Sequence, residues 1–378
     1  MNRSRIVSGS IIVSRAVYSM YWVYLSPAYI YILKAFSIQK YYLGYISWSF
    51  IAGAASTQIP AAYIAAKIGP EKTYISGLML LSAAGIASVM SPTFQLLLVT
   101  RAVAGAGAGL FFSTAGYVIS YLNQRRVGLW MGIYNAAFAI GAIAAYGLGM
   151  LYTESLWKPL VILLSLLGIA TSGVDFLIIR KSGIKIEIDK RRPSFKRNIK
   201  PILAAVALSG YWGSFYASET LLPSYFAYAR GSLYLGNAVT ILLLVFSFIG
   251  GFGTYFYDLA KRKRLFLFLV VLLGSSGYIF FVSRSLALIV VGIFLIGFFN
   301  ELSLSSLYAI AVQLSEEKWS AMSLSLVNFV NMVLGMWVSI LFSYLMVLSS
   351  TMLWISMFLV TVIPAVPLLN SYFEPKLS

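Results

Sequence analysis

Residues 97–109 read LLVTRAVAGAGAG and place an arginine beside a row of small residues inside a long apolar segment. The apolar segment extends from about residue 94 to residue 121, which is long enough to cross a hydrocarbon core of about 30 Å. The glycines resemble a phosphate-binding loop in spacing, but no strand precedes them, so that interpretation fails on context. Small residues in a membrane helix allow neighbouring backbones to approach closely. The stretch therefore predicts a tightly packed membrane helix that carries an arginine.

The composition of the whole chain agrees with a membrane location. Of the 378 residues, 60% are hydrophobic and only 10% are charged, which leaves too little polar surface for a soluble domain. There is no cysteine and no histidine, so thiolate chemistry, disulfides and the usual zinc sites are excluded, and we expect no metal and no cofactor. Polar turns mark off twelve apolar runs, at about residues 9–33, 42–66, 73–91, 94–121, 128–152, 157–179, 202–227, 233–257, 265–283, 285–313, 320–347 and 351–369.

The basic residues fall mainly on one side of these spans. With a cytoplasmic N-terminus, 21 of the 28 lysines and arginines lie on the cytoplasmic side, five lie outside, and Arg15 and Arg101 lie within spans. By the positive-inside rule, we expect both termini to be cytoplasmic in a multi-pass protein of the plasma membrane. The net charge of +17 then reflects topology and contact with membrane lipid, and we expect no nucleic-acid partner.

The second half of the chain repeats the first. Residues 42–44 (YLG) recur as residues 234–236, and Gly105 falls on Gly297 at the same offset. A duplicated apolar half is typical of secondary transporters, which bind their solute between the two repeats. The one long polar stretch coincides with the repeat boundary, and we expect an N-terminal six-helix bundle over 1–180, a cytoplasmic linker over 181–200 and a C-terminal six-helix bundle over 201–378.

Nearly the whole chain resembles the major facilitator superfamily. Residues 97–109 are similar to the family pattern Arg-x-x-Gln-Gly-x-Gly, with Ala104 in place of the glutamine. Residues 60–72 (PAAYIAAKIGPEK) are similar to the family pattern Gly-x-Leu-Ala-Asp-Arg-x-Gly-Arg-Lys, although Ala66 replaces the aspartate. The resemblance implies an all-α membrane protein with twelve transmembrane helices, arranged as two pseudo-twofold-related six-helix bundles. It also implies a monomer that transports a small-molecule substrate.

The loop after the eighth span resembles the same family pattern as residues 60–72 and keeps the aspartate that those residues lack. Asp258 keeps the acid that is missing in the first half. In the family, this aspartate faces a helix N-terminus in the other bundle, whose partial positive charge stabilises it. The resemblance therefore implies a one-sided conformational latch, for which the candidate residues are Asp258, Arg262, Lys263, Lys67 and Gly69. The alternative for Asp258 is an ordinary solvated carboxylate among lysines.

Five ionisable side chains fall within the expected spans: Arg15, Arg101, Asp175, Glu219 and Glu301. Such a group at membrane depth costs at least about 2.5–3.5 kcal/mol on insertion scales, so it usually faces a partner or a watery cavity. All except Asp175 lie on spans one, four, seven and ten, which line the central cavity in the family that the chain resembles. From a rise of about 1.5 Å per residue, we expect two ion pairs between the bundles, Arg15 with Glu301 and Arg101 with Glu219.

An ordinary interfacial position is the alternative for several of these groups. We interpret Asp175 in this way because it lies near the end of its span, and Arg15 and Glu219 are close enough to span ends to reach water. Glu301 follows Asn300 in an otherwise apolar helix. Because apolar surroundings favour the neutral form of a carboxyl group, Glu301 is the best candidate for a proton carrier if transport is coupled to protons.

Aromatic residues crowd the first and seventh spans. As substrate-lining candidates we name Tyr18, Tyr21, Trp22, Tyr211, Trp212 and Asn300. Interfacial belts are the alternative for the rings, and polar contact between helices is the alternative for the asparagine.

The sequence thus predicts a secondary transporter that moves a small solute by alternating access, and that is not an enzyme. No nucleotide-binding motif is present, so ATP-driven transport by this chain is not expected. Proton symport, antiport and uniport all stay open, as do the substrate and the direction. The rival class is a non-transporting sensor or a membrane-embedded enzyme on the same scaffold. An enzyme would need paired catalytic groups, whereas the embedded carboxylates are scattered over different spans.

Overall fold

The computed structural model describes residues 3–184, 186, 199–283, 285–314 and 320–374. Most of the expected linker, 181–200, lies outside these ranges, and the linker stays a prediction. In the first half the helices are α1 Arg3–Val23, α2 Tyr29–Phe36, α3 Leu43–Gln58, α4 Pro60–Ile68, α5 Pro70–Val89, α6 Phe94–Leu122, α7 Val127–Gly149 and α8 Trp157–Ser182. In the second half they are α9 Ile199–Arg230, α10 Leu233–Phe252, α11 Tyr255–Leu259, α12 Lys263–Phe280, α13 Leu286–Gln313, α14 Ser320–Gly335, α15 Trp337–Leu348 and α16 Ser350–Ala365.

These helices account for the twelve expected spans. In the described part of the chain, 10 helical stretches are long and apolar enough to cross a membrane. Helices α3 and α4 together, and α9, occupy the positions of the second and seventh expected spans. The chain is therefore an all-helical membrane protein, as its sequence predicts.

Several spans are broken where the sequence weakens the helical hydrogen-bond ladder. A 3₁₀ turn at Ser26–Ala28 separates α1 from α2 and contains Pro27. Pro60 begins α4, directly after the end of α3. Proline has no backbone N–H and its ring crowds the preceding turn, so the first and second spans each consist of two helices.

The chain divides into two compact units, one containing Met1–Ile38 and Ser49–Arg191, the other Gln39–Trp48 and Arg192–Ser378. The start of the second span groups with the second unit in this division, and the expected division into 1–180, 181–200 and 201–378 stays a prediction. The physical reason lies in its contacts within that unit. The Ser343 hydroxyl donates to the Tyr41 carbonyl at 2.8 Å, and the Ser47 hydroxyl donates to the Thr220 hydroxyl at 3.0 Å.

The glycine stretch of the first unit provides the close helix packing that its sequence predicts. A Cβ atom added to Gly105 of α6 would lie 1.9 Å from the carbonyl oxygen of Phe50 in α3. A Cβ atom added to Gly107 would lie 2.6 Å from the carbonyl oxygen of Gly77 in α5. Successive glycines on α6 thus face two different helices. Only the absence of side chains allows both backbones to pack this closely.

Candidate functional site

Arg15 of α1 lies within the first unit in a setting made almost entirely of aromatic rings. The side chain is 5% exposed. Its guanidinium carbon is 4.6–4.9 Å from the centroids of four rings, which we call the aromatic cage: Tyr18, Phe112, Tyr134 and Phe138. Among the described residues, its Nε and Nη1 atoms have no hydrogen-bond partner. The cage therefore stabilises the cation through ring faces and leaves two nitrogen atoms without an acceptor.

Close packing of three helices holds the aromatic cage in place. A Cβ atom added to Gly141 of α7 would lie 1.9 Å from the carbonyl oxygen of Ala16, the residue after Arg15. The Tyr134 hydroxyl of α7 donates to the backbone carbonyl of Phe112 in α6 at 2.9 Å. The cage rings thus come from α1, α6 and α7, and their relative positions depend on a glycine and a buried hydrogen bond.

Arg101 of α6 is the second buried cation of the first unit and is 1% exposed. Its guanidinium carbon lies 4.3 Å from the Phe50 ring centroid and 5.4 Å from that of Tyr24. Its Nη1 atom donates to the Tyr24 hydroxyl at 3.4 Å and to the Tyr21 carbonyl at 3.5 Å, both long hydrogen bonds. Arg101 therefore contacts rings and neutral oxygens of its own unit.

The structure corrects the interpretation of Asp175 as an interfacial residue. Asp175 is 0% exposed, and the Ser14 hydroxyl of α1 donates to its Oδ2 atom at 2.6 Å. Ser10 of α1 and Tyr74 of α5 lie near the carboxyl group, and its Oδ1 atom has no hydrogen-bond partner among the described residues. Position near a span end was a poor guide, because α8 continues beyond Asp175 and two further helices cover it. The carboxylate joins three helices of the first unit.

Glu219 and Glu301, the two candidate site carboxylates of the second unit, differ in burial. Glu219 of α9 is 0% exposed. Glu301 of α13 is half-buried, and the Ser305 hydroxyl, one turn later, donates to its Oε1 atom at 3.4 Å. Across from it on α10, a Cβ atom added to Gly251 would lie 3.2 Å from the Glu301 Cγ atom. Glu301 therefore has a narrow packing space that also leaves part of its side chain exposed.

Several substrate-lining candidates use their polar atoms to join helices of their own unit. The Tyr21 hydroxyl donates to the Leu164 carbonyl of α8 at 2.9 Å. The Tyr211 hydroxyl donates to the Ile296 carbonyl of α13 at 3.5 Å, and the Asn300 amide donates to the Ser247 hydroxyl of α10 at 3.4 Å. These contacts favour a packing role for the three residues, in line with the alternative for the asparagine.

Tyr18, Trp22 and Trp212 pack against other aromatic rings. Trp22 lies next to the aromatic cage, with its ring centroid 6.2 Å from that of Tyr18 and 6.1 Å from that of Phe138. In the second unit, Trp212 packs on Tyr216 with a centroid distance of 4.3 Å. Tyr18 and Trp22 together extend the aromatic surface of the cage along α1.

The latch candidates of the second unit include one residue with a local structural role. Lys263 is 7% exposed, and its Nζ atom donates to the carbonyls of Tyr257 at 2.6 Å and Asp258 at 2.9 Å. Its ammonium group therefore caps the end of α11. The side chains of Asp258 and Arg262 are exposed. Their role in a latch stays a prediction.

Glu374 holds this loop, and no sequence pattern predicted that role. Its Oε1 atom accepts from the Lys263 backbone N–H at 2.8 Å, and its Oε2 atom accepts from Arg264 Nε at 3.1 Å. A carboxylate at the N-terminus of α12 is favoured by the helix dipole. We call Lys263, Arg264 and Glu374 the C-terminal clasp. Its partners lie more than 100 positions earlier in the chain, so no local pattern identifies them.

In the first unit, Gly69 makes the turn that the loop pattern predicts. Its φ of +95° is a conformation that side chains rarely adopt, and it separates α4 from α5. Its carbonyl accepts from the Thr73 hydroxyl at 2.8 Å. Lys67 lies in the last turn of α4 and is exposed. The turn geometry is confirmed, and the latch role of both residues stays a prediction.

The part of the chain that the structure describes contains no group of three or more histidine, cysteine, aspartate or glutamate residues that could hold a metal ion. The predicted ion pairs, Arg15 with Glu301 and Arg101 with Glu219, stay predictions. What the described residues do establish is that membrane helices of the two units bury two guanidinium groups, one aspartate and one glutamate. Groups of this kind suit recognition of a polar solute.

Comparison of the sequence with known proteins identifies relatives. The family model described as Major Facilitator Superfamily matches residues 11–339. The multidrug resistance protein MdtL of Shewanella sp. (strain ANA-3) is 22% identical over 247 residues, which are 62% of this chain and 62% of that protein. The galactose-proton symporter of Escherichia coli (strain K12) is 24% identical over 117 residues, covering 31% of this chain and 25% of the symporter. The chain thus matches less than two thirds of the length of these curated relatives.

Solved structures share the fold over nearly the full length. The crystal structure of D-xylose-proton symporter matches with a TM-score of 0.78 at 11% sequence identity, covering 98% of this chain and 97% of that chain. A bacterial homologue of the human lysosomal transporter Spinster matches with a TM-score of 0.72 at 13% identity, covering 98% of this chain and 96% of that one. At such low identities the likeness shows a common fold and carries no information about the substrate.

Proposed function

The chain belongs to the Major Facilitator Superfamily, and from this premise we propose that it is a secondary transporter that moves a small solute by alternating access. The observation that carries the proposal is the burial of ionisable side chains on membrane helices. Arg15, Arg101 and Glu219 are 5%, 1% and 0% exposed. Each costs at least about 2.5–3.5 kcal/mol at membrane depth. A bundle that only spanned the membrane would be more stable without them, whereas recognition of a polar solute requires such groups.

The rival prediction of a membrane-embedded enzyme does not hold, because the family and the structural neighbours are transporters. The names of the relatives divide between multidrug resistance and sugar-proton symport. They support transport in general and do not select a substrate for this chain. The membrane is proposed to be the plasma membrane, with both termini cytoplasmic, because the basic residues lie mainly on one side of the spans.

Coupling to protons is the second part of the proposal. Glu301 is the proposed proton carrier, because it is half-buried on a membrane helix. The exposed part of its side chain lets the carboxyl group take up and release a proton. Glu219 is more deeply buried and is the proposed second carboxylate of the solute pathway. Two of the proteins that the chain resembles are named proton symporters, which supports the idea without establishing it here.

Proteoliposomes that contain a pH-sensitive dye test both parts. We expect at least one solute in a panel of sugars, amino acids, organic acids and amphipathic drugs to change the internal pH. Glu301→Gln should abolish this change but keep exchange of labelled solute for unlabelled solute, because exchange needs no net proton movement. The control is Lys34→Gln, whose side chain pairs with Glu154 at 3.4 Å on the surface, at 66% and 73% exposure, and should not matter.

The outcomes separate the two parts. If no solute is moved or exchanged by the wild-type protein, the transporter proposal is wrong. If the wild-type protein moves a solute without changing the internal pH, the proposal of proton coupling is wrong and the proposal of transport stands.

The predicted pair Arg101 with Glu219 is tested by charge exchange. Both Arg101→Glu and Glu219→Arg should abolish transport, because each places two like charges in one apolar region. Combining them should restore part of the activity. A double variant as inactive as either single variant would refute this pairing, and it would not affect the transporter proposal.

A further inference from the structure

We propose that the aromatic cage around Arg15 binds the carboxylate group of an organic solute, and that the neighbouring rings contact its apolar body. The inference rests on the proposed transport function, since it names the substrate class for which the first unit is built. It starts from the charge of Arg15 and from its Nε and Nη1 atoms, which have no hydrogen-bond partner among the described residues.

A buried guanidinium group must be compensated, because arginine cannot lose its proton in a protein. The four rings of the aromatic cage supply cation–π attraction but offer no acceptor to Nε and Nη1, which donate to nothing in the described part of the chain. A buried charge without such partners is strongly unfavourable. A carboxylate supplies both the opposite charge and the acceptor oxygens, and guanidinium groups bind it with fitting geometry.

The carboxylates that the structure describes in the first unit lie away from Arg15. Asp175 accepts a hydrogen bond from Ser14 at 2.6 Å and has two further hydroxyl neighbours. Glu154 pairs with Lys34 at the surface. The remaining one, Glu71, lies in the first turn of α5 close to Gly69, and its Oε2 atom has no hydrogen-bond partner among the described residues. None of these three forms an ion pair with Arg15, so the described part of the first unit leaves this position open to an external anion.

The shape of the surroundings indicates what accompanies the carboxylate. Tyr18 and Tyr134 are each 1% exposed and form the closed side of the aromatic cage. Phe112 and Phe138 are only half-buried, so the cage is less covered on their side. Trp22 adds a further ring beside Tyr18 and Phe138. An aromatic or aliphatic group attached to the carboxylate would therefore meet ring faces, which suits small hydrophobic carboxylic acids more than sugars.

Thermal unfolding of the purified full-length protein in detergent, with matched probes, tests the inference. Benzoate carries the proposed carboxylate and ring, and benzamide is its neutral counterpart. We expect saturating benzoate to raise the midpoint by about 2–4 °C, and benzamide to leave it unchanged. Arg15→Gln should abolish the benzoate shift, and Arg15→Lys should keep part of it. Arg125→Gln removes the same charge from an exposed turn and should keep the full shift.

Several results would overturn the inference. The first is an equal shift of the unfolding midpoint of the wild-type protein by benzoate and by benzamide. This comparison does not depend on the folding of any variant. The second is a benzoate preference that persists in Arg15→Gln. A benzoate shift that appears only in Glu301→Gln would assign the counter-charge to Glu301 instead.

The failure of this inference is distinguishable from that of the proposed function. Transport of neutral solutes that Arg15→Gln leaves intact, with no carboxylate binding, would overturn the carboxylate site and uphold transport. If benzoate binding depends on Arg15 but the protein moves no solute in proteoliposomes, the carboxylate site is upheld and the transport proposal is overturned.

Discussion

Replacing Gly105 with alanine tests the packing of the first unit most directly. The added Cβ atom would lie 1.9 Å from the Phe50 carbonyl oxygen and 2.8 Å from its carbon. Cβ contacts below 3.0 Å essentially do not occur, so the oxygen and the Cβ atom must move apart by at least 3.0 − 1.9 Å, about 1.1 Å. Both atoms belong to rigid helices, α6 and α3, so the movement must separate two backbones.

Two opposing effects decide the sign of the change in stability. Alanine in a helix is favoured over glycine by about 0.5–1 kcal/mol, because glycine loses more backbone entropy on folding. Overpacking a close contact costs about 1–3 kcal/mol. At Gly105 the second effect exceeds the first. Gly132 of α7 is the matched control, because nothing lies within 4 Å of its added Cβ atom. Gly132→Ala should therefore stabilise the protein, and Gly105→Ala should destabilise it.

Unfolding of the detergent-solubilised variants, followed by tryptophan fluorescence during heating, measures the difference. We expect the midpoint of Gly105→Ala to fall by about 2–6 °C and that of Gly132→Ala to rise by about 1–3 °C, at about 2–4 °C per kcal/mol. A Gly105→Ala midpoint at or above that of the wild type would refute the reasoning. It would mean that α3 and α6 are not in contact at this position.

Three further predictions concern the clasp, the buried aspartate and the topology. Glu374→Gln weakens the C-terminal clasp, in which Glu374 Oε2 and Arg264 Nε are 3.1 Å apart and both side chains are half-buried. We expect this change to lower the unfolding midpoint by about 1–3 °C in the same assay. An unchanged midpoint would contradict a stabilising role of the clasp. Asp175→Leu should destabilise the protein by about 1–3 kcal/mol, because it leaves the Ser14 hydroxyl buried without an acceptor. Adding Ser14→Ala to this variant should recover part of the lost stability. If nothing is recovered, Ser14 is not the hydrogen-bond partner of Asp175. The chain has no cysteine, so single cysteines can report the orientation. An impermeant maleimide applied to intact cells should label Ser155→Cys and not Arg125→Cys, and the opposite pattern would invert the topology.

The positions of the membrane helices followed closely from the sequence. The apolar run 202–227 corresponds to α9, Ile199–Arg230, and the run 94–121 corresponds to α6, Phe94–Leu122. Length and hydropathy are local properties that a bilayer requires of every span, so they can be read without knowing any contact. The family resemblance is confirmed for the same reason, because it rests on short loop and helix patterns such as the turn at Gly69.

The candidate site was predicted less completely. The sequence placed Arg15 and Arg101 within membrane spans, and the structure buries both in the first unit, while their predicted role in a central cavity stays a prediction. It misplaced Asp175, whose burial depends on α1 and α5 rather than on its distance from a span end. It also missed Glu374, whose partners are more than 100 positions earlier in the chain.

Hydropathy is a property of the sequence itself, and it was enough to predict a helical membrane protein, while the duplication and the placement of basic residues on one side stay predictions. The surroundings of Arg15 were beyond such patterns. Its cage joins rings from positions 18, 112, 134 and 138, which meet only because α1, α6 and α7 pack together. Side-chain neighbours on separate helices depend on which faces make contact and at what height. That information resides in the complementary surfaces of distant segments and in no single stretch of sequence.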